Sequence, residues 1–167
     1  MSSERVTHGI APVFDERSQV LILGTMPSPK SREAGFYYMH PQNRFWRMLS
    51  AVLDEPLPPS AEERRKMCLR HNIALWDVLA SCDINGAADS SISNAVPNDI
   101  GGLLSKCSIT KVFTTGKKAH ALYRRFFPDL MSDVCLPSTS PANRTISEEK
   151  MLQQYRVIAD ALAKQEC

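Results

Sequence analysis

Residues 19–24, QVLILG, form an unbroken apolar run, preceded by the charged Asp15-Glu16-Arg17 and closed by a glycine. A strand covered on one face alternates polar and apolar side chains, whereas a continuous run suits a strand buried on both faces. Such a strand needs helices on each side of its sheet, and the chain supplies them in alternation. Phe45, Trp46, Met48, Leu49, Val52 and Leu53 follow helical spacing and predict a helix from Asn43 to Leu53, ended by the breaker DEPLPPS. Pro41 leads into that helix. Ser60 with Glu63 forms a capping box for a charged helix, Ala61 to His71. A second strand, IALWDVL (73–79), follows at once, and then the small, polar, aperiodic Ala80–Asp99, which predicts a long ordered loop. Asp99 caps a short helix through Leu104. ITKVFTT (109–115) is a third strand, GKKAHALYRRFF (116–127) a helix stopped by Pro128, and Asp133–Leu136 a fourth strand. After PSTSPANRTIS (137–147), Ser147 opens a last helix with Met151, Leu152, Tyr155, Ile158, Ala159 and Leu162 on one stripe. The expected class is α/β, a three-layer α/β/α domain with a central four-stranded parallel sheet and right-handed crossovers, spanning residues 1–167 as one unit.

Composition narrows the function. The 43% apolar and 23% charged residues are ordinary for a globular protein, and no apolar run approaches the roughly 18 residues of a membrane span. MSSERVTHGI has neither a basic n-region nor an apolar h-region, so the expectation is a cytoplasmic protein, and a monomer. A net charge of +2 means that any face meeting nucleic acid must be local. The five cysteines (Cys68, Cys82, Cys107, Cys135, Cys167) contain no C-x-x-C pair and are read as reduced, mostly structural thiols. The four histidines (His8, His40, His71, His120) lack ligand spacing, so no metal is expected.

In a parallel sheet the ligand site lies beyond the carboxyl ends of the strands. Those ends are GTMPSPK (24–30), WDVLAS (76–81), TTGKK (114–118) and PSTSPAN (137–143). GTMPSPK is neither a Walker loop nor G-x-G-x-x-G, so no nucleotide cofactor is expected. The neighbouring YYMHPQNRFW (37–46) holds two competing readings. Asn43 is either a helix cap, a role asparagine favours, or a group placed for chemistry, and Tyr38 is either core or a pocket wall. Asp77 is similarly open between a ligand contact and a cap or ion pair. Arg44, Arg47, Lys117 and Lys118 are either a local basic face or ordinary solvated charges.

LGTMPSPKSREAGFYYMHPQNRFWRML, with PSTSPAN far downstream, resembles the uracil-DNA glycosylase superfamily and, within it, the hypoxanthine-DNA (DNA-deoxyinosine) glycosylase family. H-P-x-N-R-F-W is also similar to a segment of the mismatch-specific uracil enzymes. ALWDVLASC, VPNDI and GKKA extend the likeness more weakly over most of the chain. The resemblance implies a four-stranded parallel sheet between helices and an enzyme that flips a damaged base from DNA and hydrolyses its bond to the sugar. It assigns the attacking water to Asn43, because Met26 stands where the mismatch-specific relatives carry a water-positioning asparagine. Tyr38 matches the aromatic residue that stacks on the flipped base, and Gly24, Thr25, Met26, Pro27 and Asp77 complete the base pocket. For DNA the assignment is Arg44, Lys117, Ser138, Thr139 and Ser140, with Pro141 or Asn143 filling the gap in the base stack. Leu136 stands where classical uracil enzymes have a histidine, Ser140 replaces their leucine wedge, and Thr115 lies where the hypoxanthine family has asparagine. The expectation is a monofunctional glycosylase acting on DNA with a deaminated base, hypoxanthine foremost. Uracil or mismatch-specific activity and a non-catalytic nucleic-acid-binding module are the rivals; an esterase using Ser138 or Ser140 lacks the G-x-S-x-G elbow.

Overall fold

The computed structural model describes residues 3–163, so Cys167 lies outside the described residues. In chain order the elements are β1 (Glu4–Thr7), β2 (Val20–Gly24), α1 (Pro29–Ala34), α2 (Phe45–Val52), α3 (Ala61–Arg70), β3 (Ile73–Asp77) and β4 (Leu79–Ile84). They continue with a single 3-10 turn at Asp89–Ser91, then β5 (Ser93–Pro97), α4 (Ile100–Leu104), β6 (Lys111–Thr115), α5 (Lys117–Phe126), β7 (Asp133–Leu136) and α6 (Glu148–Ala163).

Four strands make the expected parallel sheet in the order β3-β2-β6-β7. β2 is its centre and is buried throughout. Val20 and Ile22 face one apolar layer with Phe45, Trp46 and Leu49 of α2, Met67 and Cys68 of α3, and Met151, Tyr155 and Ile158 of α6. Leu21 and Leu23 face the other, with Ile100 and Leu103 of α4 and Leu122 and Tyr123 of α5. Two-sided burial is thus the physical reason for the unbroken run at residues 19–24. Segment 8–14 covers the outer edge of β3, where Val13 exchanges both backbone hydrogen bonds with Leu75 at 2.9 Å.

A second sheet corrects the expected loop at Ala80–Asp99. β1, β4 and β5 form an antiparallel three-stranded sheet packed through Val6, Cys82 and Ile84 on the α4/α5 side. The run read as one strand, Ile73–Leu79, ends at Asp77; the chain turns at Val78, whose N–H donates to Gly24 O, and Leu79 begins the new sheet. β5 is mostly exposed, and the β4/β5 register shifts twice, which removes the period of two by which a strand is recognised. α1 was also unanticipated: Ser28 caps it, Pro29 opens it and Gly35 ends it at φ 73°.

Candidate active site

The carboxyl ends of β2, β3, β6 and β7 open into one cavity of about 270 Å³. That is near the low end of small-molecule pockets, roughly 300–1,000 Å³, and suits one planar heterocycle better than a whole nucleotide. Its wall includes Gly24, Thr25, Met26, Pro27, Tyr38, Asn43, Asp77, Ser138, Thr139, Ser140 and Pro141, eleven of the residues the sequence singled out. Arg44, Lys117 and Asn143 are not in the wall. His40, Asp89, Thr115 and Ala142 join it without having been assigned to the site.

Tyr38 is held firmly. The preceding Tyr37 is pinned by its hydroxyl donating to Ala11 O at 2.9 Å and by Trp46 Nε1 donating to Tyr37 O at 2.9 Å. Met39 N–H donates to Ser31 Oγ at 3.0 Å on the far side. Between these anchors Tyr38 adopts φ 56°, a left-handed conformation costly for a bulky residue and typical of over-determined functional sites. Its ring lies on Phe45 with centroids 3.9 Å apart and 17° between planes, so the first residue of α2 backs it. The Tyr38 hydroxyl meets Thr115 Oγ1 at 3.0 Å, and Thr115 in turn reaches Leu23 O at 3.4 Å. Burial first, then the charge of Asp77, raises the Tyr38 phenol well above its ordinary value, so it stays neutral.

Asn43 sits two residues before α2, which starts at Phe45 rather than at Asn43. Pro41 lies in the turn ahead of it, and Asn43 N–H donates to His40 O at 2.9 Å. Asn43 Oδ1 accepts the Phe45 N–H at 2.9 Å, satisfying one of the orphan donors of the helix. That bond fixes which way the amide points, because only the oxygen can accept. Among the described residues, Nδ2 has no protein partner, and the residue lines the cavity.

Asp77, at the end of β3, is buried against His8. His8 Nε2 lies 2.9 Å from Asp77 Oδ2, with side chains 3% and 5% exposed. His8 is a functional neighbour that sequence reasoning missed. Asp77 Oδ1 approaches Gly24 so closely that a Cβ there would lie 2.5 Å from it and 3.0 Å from the Tyr38 hydroxyl. Gly24 is therefore required for space. At the rim, Asp89 adds an exposed carboxyl to the wall.

The loop after β7 is tied down rather than solvated. Arg44, expected to meet DNA, donates within the protein from Nη1 to Ile146 O at 3.0 Å, from Nη2 to Asn143 O at 2.9 Å, and from its backbone N–H to Thr139 O at 3.1 Å. Asn143 Nδ2 donates to Ser138 O at 2.9 Å and its Oδ1 accepts from Thr145, so its amide is used within the loop. Thr139 is buried at 1% exposure, which turns it from the surface to the cavity wall. Ser138 Oγ accepts from Ser140 N–H and Ser140 Oγ from Ala142 N–H, each at 3.2 Å, and both hydroxyl protons stay available to donate. Pro141 and the exposed Ala142 form the tip. Lys117 is exposed at the start of α5, and Arg47 pairs with Glu148. Among the described residues, no three His, Cys, Asp or Glu side chains are placed to hold a metal ion, and no helix is long and apolar enough to cross a membrane.

An α/β sheet with a base-sized, tyrosine-walled cavity at its strand ends, an oriented amide in the wall and a serine-rich loop at the mouth defines a protein that handles a single flipped nucleobase. The chain belongs to the uracil DNA glycosylase superfamily, whose family model matches residues 11–163. It is 32% identical over 147 residues to a hypoxanthine DNA glycosylase of Methanosarcina acetivorans, covering 87% of this chain and 93% of that one. A hypoxanthine DNA glycosylase of Methanosarcina barkeri is 35% identical over 113 residues, 66% of this chain and 72% of the relative. The solution NMR structure of a uracil DNA glycosylase candidate from Methanosarcina acetivorans superposes with a TM-score of 0.83 at 29% identity, covering 96% of this chain and 99% of that one.

Proposed function

We propose that this protein is a monofunctional DNA glycosylase that releases a flipped deaminated base, hypoxanthine foremost, from DNA. The observation that carries the reading is the convergence of Tyr38, Asn43 and Asp77 on one cavity of about 270 Å³ at the ends of β2 and β3. Tyr38, backed by Phe45, offers a flat apolar face to the base; such stacking contributes about 1–3 kcal/mol per base and offsets the cost of leaving the duplex. Asn43, its oxygen held by Phe45 N–H, keeps its Nδ2 donors and one oxygen lone pair for a water molecule. An amide has no usable basicity near neutral pH, so it orients the water without deprotonating it. The base accordingly departs ahead of the attack, and the water adds to an oxocarbenium-like sugar. Ser138 and Ser140 offer hydroxyl donors to phosphate oxygens, and the Pro141-Ala142 tip is the segment to enter the gap in the base stack.

The test is strand incision after alkali, at enzyme excess, on single- and double-stranded oligonucleotides holding inosine, uracil, xanthine or mispaired thymine. Inosine should be the fastest substrate, and release of no base by wild-type enzyme would refute the reading. Asn43→Ala should lose about 100-fold or more of the release rate while still binding DNA, an effect of the size seen when one positioned polar group is removed from a reacting centre. Unchanged release in that variant would leave Asn43 as a helix cap alone.

A further inference from the structure

We propose that His8 and Asp77 form a selector that admits a base carrying a protonated ring nitrogen and rejects its undeaminated parent. This rests on the glycosylase reading above and assigns a role to His8, which lies 69 residues from Asp77 in the chain.

The hydrogen bonds fix the tautomer of His8. Ile10 N–H donates to His8 Nδ1 at 3.3 Å, so Nδ1 is the acceptor of the ring and the proton of the neutral imidazole sits on Nε2. Nε2–H then donates to Asp77 Oδ2 at 2.9 Å. A protonated Asp77 facing an acceptor Nε2 would put the ring proton on Nδ1, against the Ile10 N–H, two donors face to face. His8 is itself anchored, because its backbone N–H donates to Ala80 O at 2.7 Å and its ring packs 6.0 Å from that of Tyr37. With Oδ2 taken by Nε2–H, Asp77 as a carboxylate has Oδ1 left as an acceptor.

Its second oxygen, Oδ1, makes no hydrogen bond to the described residues, is not sealed from the cavity, and lies over Gly24 beside the Tyr38 hydroxyl. An acceptor at that place distinguishes deaminated bases from their parents by one atom. Hypoxanthine has N1–H where adenine has a bare N1 lone pair, and uracil has N3–H where cytosine has a bare N3. A donor meets Oδ1 with a charge-assisted hydrogen bond, whereas a lone pair meets it with repulsion and leaves a buried charge unpaired. His8 is a positioning residue in this scheme. Its Nε2–H holds Oδ2 and so keeps the carboxylate turned with Oδ1 over Gly24, where the edge of the base would meet it.

Single-turnover base release from duplexes holding deoxyinosine or deoxyadenosine tests this with wild type, His8→Leu, His8→Gln and Asp77→Asn, each checked for folding by thermal melting. His8→Leu and Asp77→Asn should lower the inosine-to-adenine rate ratio at least about tenfold, the scale of discrimination carried by one well-placed base contact. His8→Gln, whose amide N–H can replace Nε2–H, should restore most of the ratio. A merely structural role would reduce both rates together and leave the ratio unmoved. An unchanged ratio in His8→Leu, or His8→Gln no nearer to wild type than His8→Leu, overturns the proposal; should His8→Leu not fold, the isosteric Asp77→Asn decides it by the same ratio. A wild type that releases inosine but shows these results refutes the selector alone, whereas one that releases no base refutes the glycosylase reading and the selector with it.

Discussion

Gly24→Ala tests the geometry of the site at its tightest point. Gly24 is not in the left-handed region, so alanine is compatible with its backbone and the whole effect comes from the added methyl. That Cβ would stand 2.5 Å from Asp77 Oδ1, 3.0 Å from the Tyr38 hydroxyl and 3.6 Å from Thr115 Oγ1. The first contact is about 1 Å inside the ordinary separation of non-bonded heavy atoms. The neighbours cannot retreat freely. Asp77 is hydrogen-bonded to His8 through Oδ2, its strand is paired with β2 at Gly24 itself, and the Tyr38 hydroxyl is tied to Thr115. Overpacking of this kind costs about 1–3 kcal/mol. For a chain of this length each kcal/mol corresponds to roughly 2–4 °C in Tm, so a fall of about 2–12 °C is expected. The carboxylate must also turn into the cavity, and a displacement of about 1 Å at a reacting site lowers the rate on the order of 100-fold. Thermal melting and single-turnover inosine release measure the two effects. Asp77→Ala should relieve the contact, so adding Gly24→Ala to that variant should cost little further stability. A Gly24→Ala enzyme with wild-type melting and release within a factor of about two would mean that Asp77 and Tyr38 do not converge over Gly24, contrary to the close approach required of them.

Arg44→Ala should lower base release by loosening the 138–146 loop, and Arg44→Lys should not rescue it, since Arg44 grips two carbonyls with a fork that lysine lacks. The slope of log DNA affinity against log salt should stay as in wild type; a slope shallower by about 0.7–0.9 would show that Arg44 contacts a phosphate after all. Glu55 is held below its ordinary value of 4.5 by hydrogen bonds first from Arg70 and then from His71. The native state therefore binds fewer protons there than the unfolded chain, so this stabilisation is whole above pH 4.5 and is lost as pH falls through the lowered native value. Glu55→Gln should melt below wild type near neutrality, with the gap closing in acid; a gap independent of pH would refute the linkage. No lysine lines the cavity among the described residues, so borohydride should trap no covalent DNA adduct, and trapping would reveal an amine nucleophile and lyase chemistry.

What the sequence revealed follows from where apolar periodicity survives. β2, β3 and β6 are buried almost throughout, and their runs announce both themselves and the need for helices on each face, whereas the edge strand β7 is mostly half-buried with Cys135 exposed. The β4–β5 ribbon buries Leu79, Cys82 and Ile84 but adds polar contacts, such as Arg5 on Ser81 Oγ at 2.8 Å and on Asn94 O at 2.7 Å, and its bulges break the alternation. α1 is too short to show a period, although Ser28-Pro29 and Gly35 wrote its ends into the sequence. The wall residues supplied by GTMPSPK and PSTSPAN were legible because the strand-end rule places such loops at the ligand. His8 was not, because its partner is brought to it by the tertiary fold across 69 residues. The grip of Arg44 on the loop was hidden for a related reason: the partners are backbone carbonyls, which carry no mark in the sequence.

The role proposed for Asn43 divides cap and chemistry between different atoms of one amide. Its oxygen serves Phe45 N–H, and that bond immobilises the amide of a residue that lines the cavity, leaving Nδ2 without a partner among the described residues. The amide itself gives a water held there no base. Met26 offers a thioether, and the Tyr38 phenol stays neutral because its value is raised by burial and by Asp77. Of the other acceptors in the wall, Asp77 Oδ1 is spoken for by the edge of the base in the selector scheme and Oδ2 by His8, His40 Nδ1 already accepts from Gln42 N–H, and Asp89 stands at the rim. Water in such a site attacks effectively once the sugar has become strongly electrophilic, which requires the glycosidic bond to be largely broken first. The expected consequence is that Asn43→Asp, which keeps the Phe45 bond and adds a true base, lowers release less than Asn43→Ala. Equal losses in the two variants would mean that the amide nitrogen, rather than an acceptor for the water proton, is what the reaction needs.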